Sequence, residues 1–378
     1  MSTEPDYSLS NSDVVTKYKT AGDISAKVLA NIKALAVEGA KIIDLTTEGD
    51  RQLLEETSKI YKGKKDIIKG IAFPTSVSPN NVVAHLSPLP TDKEAEITLK
   101  AGDVVKITLG AQVDGFASIV GDTVVVGGGE VSGPVADAIA AAWYATEAAI
   151  RTIKPGNKNW DVTKIVDKVT SEYGVKALEG MLSNEQSRNV VDGKKRIILN
   201  PSESQRREFE TFTFEEGEVY GVDILVSTGD GKSRADETPT TVYKKADITY
   251  QLKLRTSRAT FSEVQKKAGS FPFSLRSLDD AKKARMGLQE CQNHGLIIPY
   301  EVFYEKEGQT VVQFFTTIAL TKTGTIKFAG PVTPDFAKIK TDKKVTDESV
   351  LDVLSKPLKA SKKNKKKAAD AAAAPASA

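Results

Sequence analysis

Residues 104–126, VVKITLGAQVDGFASIVGDTVVV, constrain the fold of this chain more than any other stretch. Two runs rich in β-branched residues flank Val113-Asp114-Gly115, and Asp-Gly is the turn chemistry that closes an antiparallel hairpin, because both residues tolerate positive φ. Such a hairpin must cover one apolar face with another element. The next segment, GPVADAIAAAWYATEAAIRTIKPG, reads as a helix of about five turns that starts after Gly133 and stops before Pro155-Gly156.

Helix and strand patterns alternate through the rest of the chain. Residues 13–46 carry Val14, Tyr18, Ala21, Ile24, Val28, Ile32 and Leu35 at helical spacing, until Gly39 and IIDLTTEGD interrupt them. A second helix is expected near 48–62, with Leu53, Leu54 and Ile60 on one side, and another over 160–173. From 71, IAFPTSVSPNNVVAHLSPLP reads as a strand entering a structured loop. Strand-like segments fall at 218–227, 239–244, 310–320 and 324–330, and region 260–298 between them is mainly helical and basic. From about 355 the chain is rich in Lys, Ala and Ser without apolar periodicity, which reads as disorder. The order of helices and hairpins indicates an α+β fold, and periodicity alone goes no further.

Composition narrows the class. The 378 residues suffice for a sizeable core, and 40% apolar with 27% charged residues describes a soluble globular protein. The polar start MSTEPDYSLSNSD lacks the apolar stretch of a signal peptide, and no apolar run approaches the roughly 18 residues of a membrane helix. One cysteine, Cys291, gives no disulfide framework, so the expectation is an intracellular protein. Only His85 and His294 are available for conventional zinc or acid–base chemistry.

The net charge of +3 hides a segregation. Residues 355–367 carry +7 and residues 251–290 carry +5, which leaves −9 for everything else. An acidic body with one basic insert and one basic tail points to a polyanion partner.

The local motifs take the fold class further. AFPTSVSPNNVVAH (72–85), GDVVKITLG (102–110), the Ile153–Gly156 turn, EGEVYGVDILVSTG (216–229) and VVQFFTTIAL (311–320) resemble, in order and separation, type-2 methionine aminopeptidases. The helical segment ending in GLIIPY (295–300) is similar to the extra subdomain of that type. The resemblance spans about 15–330 and implies the pita-bread fold over 13–340. The insert would occupy 255–300, and 341–378 would form the Lys/Ala-rich tail.

The resemblance also implies a site. The family holds two divalent metals with two Asp, one His and two Glu, and the bridged pair activates a water. In this chain those positions are Thr108, Ile119, Met181, Asp223 and Phe315. Only Asp223 keeps a carboxylate, and one carboxylate does not offset the dehydration of a hard cation. The expectation is therefore no cofactor, no metallopeptidase chemistry, and an old metal cavity filled by Ile119, Met181 and Phe315. His85 matches the family's substrate-contacting histidine and reads as a hydrogen-bonded loop histidine in a vestigial pocket, open to protein partners. Residual metallopeptidase activity is the minor alternative.

ALEGMLSNEQ (177–186), DGKKRIILNP (192–201), LKLRTSRATFSEV (252–264), KKARMGLQEC (282–291) and FYEKEG (303–308) resemble the proliferation-associated, curved-DNA-binding branch of that family. The branch is described as inactive homologues that bind nucleic acid and as ribosome-associated factors. What it implies here is DNA binding by shape and charge, with structured RNA or the ribosome as the alternative. A nuclear, partly nucleolar location with a cytoplasmic pool would accompany either.

The residues expected to grip phosphates are Lys356, Lys359, Lys362, Lys363, Lys365, Lys366 and Lys367 in the tail, and Lys253, Arg255, Arg258, Lys282, Lys283 and Arg285 in the insert. The tail is equally readable as a localisation signal or a solubilising segment, and the insert as an ion-paired helix face. Phe261, Phe271 and Phe273 lie among the insert charges, where core packing competes with base stacking. No zinc finger, RNP motif or basic zipper is present, which argues against sequence-specific readout. The glycines of 221–233 do not form a phosphate loop, and VLDVLS lacks the last leucine of an LxxLL helix.

Overall fold

The computed structural model of the protein describes residues 5–64 and 66–359. Helix α1 (Ser12–Leu35) is capped by Asn11, whose side chain accepts the Asp13 amide. Helix α2 (Ile42–Lys59) begins inside the IIDLTTEGD stretch that the sequence presents as an interruption. Ile42, Leu45, Thr46, Gly49 and Leu53 are buried at helical spacing there. Gly49 serves close packing rather than helix breaking, since a Cβ on it would sit 2.4 Å from Thr75 Oγ1.

Strands β1 (Lys69–Pro79), β2 (Val104–Val113) and β3 (Phe116–Val125) follow, then helices α3 (Gly133–Thr152) and α4 (Asn159–Glu172). The β2–β3 hairpin is in register from Val104↔Val125 to Val113↔Phe116. Asp114 and Gly115 turn it with φ of +55° and +86°, the left-handed region that this pair of residues accepts. After β4 (Leu182–Gln186), β5 (Arg196–Ile198) and β6 (Val219–Ser227) comes the insert, with β7 (Val242–Lys245), α5 (Arg255–Lys267), α6 (Ala281–Asn293) and β8 (Ile297–Tyr300). The body resumes with β9 (Val311–Thr321), β10 (Gly324–Ala329) and α7 (Glu348–Ser355).

The main sheet has nine strands in the order β1-β2-β3-β9-β6-β4-β5, with β10 on β9 and the pair Lys176–Ala177 on β6. Its helix-covered face carries two cores. One joins Val28, Ile32 and Leu53 to Ile107, Leu109 and Val120, and the other joins the Ala-rich α3 and Val166 of α4 to Val222, Ile224 and Phe314. The alternation of side chains along a strand then dictates what the other face receives. Thr108 lies between Ile107 and Leu109, Ile119 precedes Val120, Asp223 lies between Val222 and Ile224, and Phe315 follows Phe314. Two packed cores thus aim four of the five site positions the same way.

In the insert, α5 and α6 form an antiparallel pair so close at Gly287 that a Cβ there would lie 2.3 Å from Thr260 Oγ1. Leu252, Val264, Leu275, Leu288 and Cys291 fill the space beneath it, and Phe273 joins them. Phe271 is also buried, and Phe261 packs half-buried against the same cluster, so the three rings belong to the core.

Residues 341–359, assigned to the tail by sequence, lie against the body. Lys343 Nζ donates to Asp137 Oδ2 and to the Tyr173 carbonyl at 2.7 Å each. The described residues run to Lys359, past the 355 where disorder is expected. Leu358 packs on the α3 core, and its carbonyl accepts the Thr325 amide at 2.8 Å. A single leucine after Pro357 gives no periodic signal, although it finds an apolar site.

Candidate functional site

The sheet face opposite the helices opens into a cavity of about 290 Å³, and all five carried-over positions line it together with His85. Met181 is the one not borne on a strand. It follows Gly180, whose φ of +75° turns the chain, and packs half-buried between two apolar clusters.

A polar chain crosses the cavity floor. Thr108 Oγ1 donates to Gln313 Oε1 at 3.0 Å, and Gln313 Nε2 donates to Asp223 Oδ1 at 2.8 Å. The surface that Asp223 retains faces this cavity. Burial pushes its carboxyl up to about 7, against the partial opposition of the Gln313 amide. Gln313 is absent from the sequence expectations. It lies two residues before Phe315 on β9, so strand alternation alone places it on the same face.

Phe315 occupies space made by two glycines. A Cβ on Gly121 would meet the Phe315 Cβ at 2.9 Å, and one on Gly221 would meet its Cζ at 2.8 Å. Ile119 is pinned by Thr317, whose Oγ1 accepts its amide at 3.0 Å and donates to its carbonyl at 2.7 Å. Ile119 clusters with Ala72, Phe73, Val191 and, from the insert, Phe271. These apolar groups fill the cavity only in part, because side chains anchored on separate strands cannot collapse across the remaining gap.

His85 adopts φ of +66°. Its ring packs 5.7 Å from Phe73 and 5.2 Å, edge-on, from Tyr300, and no side-chain hydrogen bond joins it to another described residue. The expected hydrogen-bonded histidine is thus held by aromatic packing instead. Burial pushes its imidazole down to about 4, so it is neutral near pH 7.

This donor set does not fit a two-metal centre. At the five positions and Gln313, one carboxyl, an amide, a hydroxyl, a thioether and two hydrocarbon side chains line the cavity, rather than the several carboxylates that two hard cations need. Among the described residues, no group of three or more His, Cys, Asp or Glu side chains is placed to hold a metal ion.

The basic residues separate into two kinds. Lys253, Arg255, Arg258, Lys266, Lys282 and Lys283 are exposed and make no ion pair with a described residue. Arg285 differs: its Nη2 lies 2.9 Å from Asp92 Oδ2, which ties α6 to the body. Arg276 is bound more deeply, to Asp50 Oδ2 at 2.7 Å and to the Ser87 and Pro88 carbonyls. Of the tail lysines, Lys356 pairs with Asp352 and Lys359 bridges by its backbone to Gly324. Lys362, Lys363, Lys365, Lys366 and Lys367 lie outside the described residues.

The profile of metallopeptidase family M24 matches residues 16–230, and the chain belongs to that family, with its pita-bread fold. Within it, the chain is 54% identical to the "Curved DNA-binding protein" of Schizosaccharomyces pombe, over 96% of this chain and 95% of that one. It is 45% identical to "ERBB-3 binding protein 1" of Arabidopsis thaliana, over 85% and 81%. A solved thermophilic Arx1 superposes with a TM-score of 0.88 at 39% identity, over 93% of this chain and all of that one. No helix among the described residues is long and apolar enough to cross a membrane.

Proposed function

We propose that this protein is a non-enzymatic nucleic-acid-binding protein on an M24 scaffold, gripping DNA by shape and charge without reading sequence. The observation that carries this reading is the set of six exposed cations on the insert that make no ion pair with a described residue, in a chain whose remainder is net acidic. Cations free of carboxylate partners release phosphate counterions without first breaking an ion pair. The 54% identity to a relative named for binding curved DNA, along nearly its whole length, supports DNA as the polyanion. Shape preference follows if insert and tail are engaged together, because curved duplex presents phosphates to both at lower bending cost.

The lack of catalysis rests on the donor set. Asp223, hydrogen-bonded to Gln313 and driven toward its neutral form, is a poor first ligand for any cation. A cavity of about 290 Å³ has room for a side chain of a protein partner. The lysine-rich end would double as a nuclear localisation signal.

The test is titration of the full chain into curved duplex, straight duplex of equal length and structured RNA, each at two salt concentrations. Tightest binding to curved duplex with a steep salt slope is expected. Equal affinity for curved and straight duplex removes the shape component, and tighter binding to RNA transfers the reading to a ribosomal partner. Hydrolysis of Met-initiated peptides with added Mn²⁺ or Co²⁺ would overturn the non-enzymatic part.

A further inference from the structure

The insert carries an aromatic pair that neither its core nor the cavity uses. Tyr250 and His294 stack with ring centroids 3.8 Å apart and planes within 15°. Both are exposed, Tyr250 at 36%. Tyr250 lies in the loop between β7 and α5, and His294 is the residue that ends α6. The approach to α5 is fixed by Glu290, whose two carboxylate oxygens accept the Lys253 and Leu254 amides at 2.8 and 3.1 Å. That carboxylate is thereby committed to the backbone, while Lys253 and Arg255 make no ion pair with a described residue. Two residues separate Tyr250 from Lys253, a Cα span of at most about 11 Å over three peptide steps.

An exposed aromatic face within reach of free cations is what an unpaired base and its flanking phosphates require. The base stacks by its π-face, whatever its identity, and the cations hold the backbone. Phe261, Phe271 and Phe273, the rings that the sequence offers for stacking, are packed into cores and present no such face. Exposed Leu254 and Ile248 extend the apolar surface beside the pair.

We propose that Tyr250 and His294 form a base-stacking platform for an unpaired nucleotide, with Lys253 and Arg255 holding the adjoining phosphates. The proposal rests on the nucleic-acid reading above and refines it. The insert and tail cations would read duplex phosphates by charge, whereas this platform selects molecules that offer an unstacked base at a bulge, loop or end.

A short oligothymidylate carrying one 2-aminopurine, and a perfect duplex of the same length, test it with the full chain. Binding of the single strand is expected to quench 2-aminopurine by stacking. Tyr250→Ala should weaken single-strand affinity about ten-fold and abolish the quench, with Tyr250→Phe restoring both. Duplex affinity should change less than about two-fold, since its phosphate contacts are untouched. His294→Ala should repeat the pattern more weakly, and unchanged thermal unfolding of each variant separates the effect from misfolding.

Absence of quenching in the wild type overturns the platform even if duplex binds, and the apolar surface would then belong to a protein partner. Equal losses for single strand and duplex in Tyr250→Ala also overturn it. If single strand binds with quenching and duplex does not bind, the platform stands and the duplex reading falls.

Discussion

Asp223 and His85 line one cavity, and burial moves them in opposite directions. The Asp223 carboxyl rises from 3.8 to about 7, while the His85 imidazole falls from 6.5 to about 4. Between those limits the folded chain holds a proton on Asp223 that the unfolded chain releases, so this group lowers stability as pH rises toward 7. His85 does the reverse: the unfolded chain takes up a proton that the fold refuses, so its contribution is lost as pH falls below 6.5. The two slopes oppose each other over nearly the same window and hide one another in the wild type. Asp223→Asn should unmask His85, and stability relative to wild type should rise from pH 4.5 to 6.5 by up to about 3 kcal/mol. His85→Gln should unmask Asp223 and fall across that interval by a similar amount, on the order of 3 kcal/mol. Urea midpoints at the two pH values measure both. Relative slopes of the same sign would show that one of the groups is not desolvated. The same comparison explains why this polar floor was not legible in the sequence. The five positions expected from the family resemblance stand out against a known ligand pattern, but Gln313 matches no pattern and acquires its role only by lying between Thr108 and Asp223 across three strands.

At the scale of elements, the insert is a small helical hairpin with its own core, and one buried arginine latches it to the body. Arg276 and Asp50 keep 10% and 16% of their side chains exposed, and Asp50 also accepts the Thr75 amide at 2.7 Å. Removing one partner of a buried pair leaves the other uncompensated. Arg276→Met should therefore cost about 3 kcal/mol, somewhat relieved because the Thr75 amide remains. It should also open the 250–300 region to proteolysis before the body unfolds. A loss below about 1 kcal/mol would mean that the pair behaves like a surface bridge. Strand pairing and the Asp-Gly turn were readable because backbone chemistry decides them locally. The start of α2 was not, since Gly49 looks like a breaker until Thr75 is seen packed against it. Nor was the division of the basic residues: Arg276, Arg285 and Lys283 are alike in sequence, and only the tertiary positions of Asp50 and Asp92 decide which cations are already taken. Tyr250 and His294 lie far apart in the chain, with no periodicity to join them.

For the whole molecule the question is how a chain of net charge +3, with two basic regions on an acidic body, would bind the polyanion proposed for it. The described structure changes where the tail should be cut to answer it. A cut after Leu354 removes lysines but also Leu358, which is half-buried on the α3 core and holds Thr325 by its carbonyl. That cut should cost about 1 to 2 kcal/mol and so confuse folding with binding. A cut after Lys359 removes five lysines and leaves that packing intact. If each of the five neutralises one duplex phosphate, the slope of log affinity against log salt should fall by at most about 4.5, with no change in thermal unfolding. The insert cations should account for what remains, so Lys253→Ala with Arg255→Ala in the shortened chain should remove roughly 2 more. A shortened chain that keeps the full slope would leave the tail no phosphate contact and place every one on the folded chain up to Lys359. In that case the −9 carried by the rest of the chain becomes the decisive quantity. Repulsion from that body would confine the polyanion to the insert face, and affinity would depend on how the ligand bends away from the acidic surface rather than on how many lysines are offered to it.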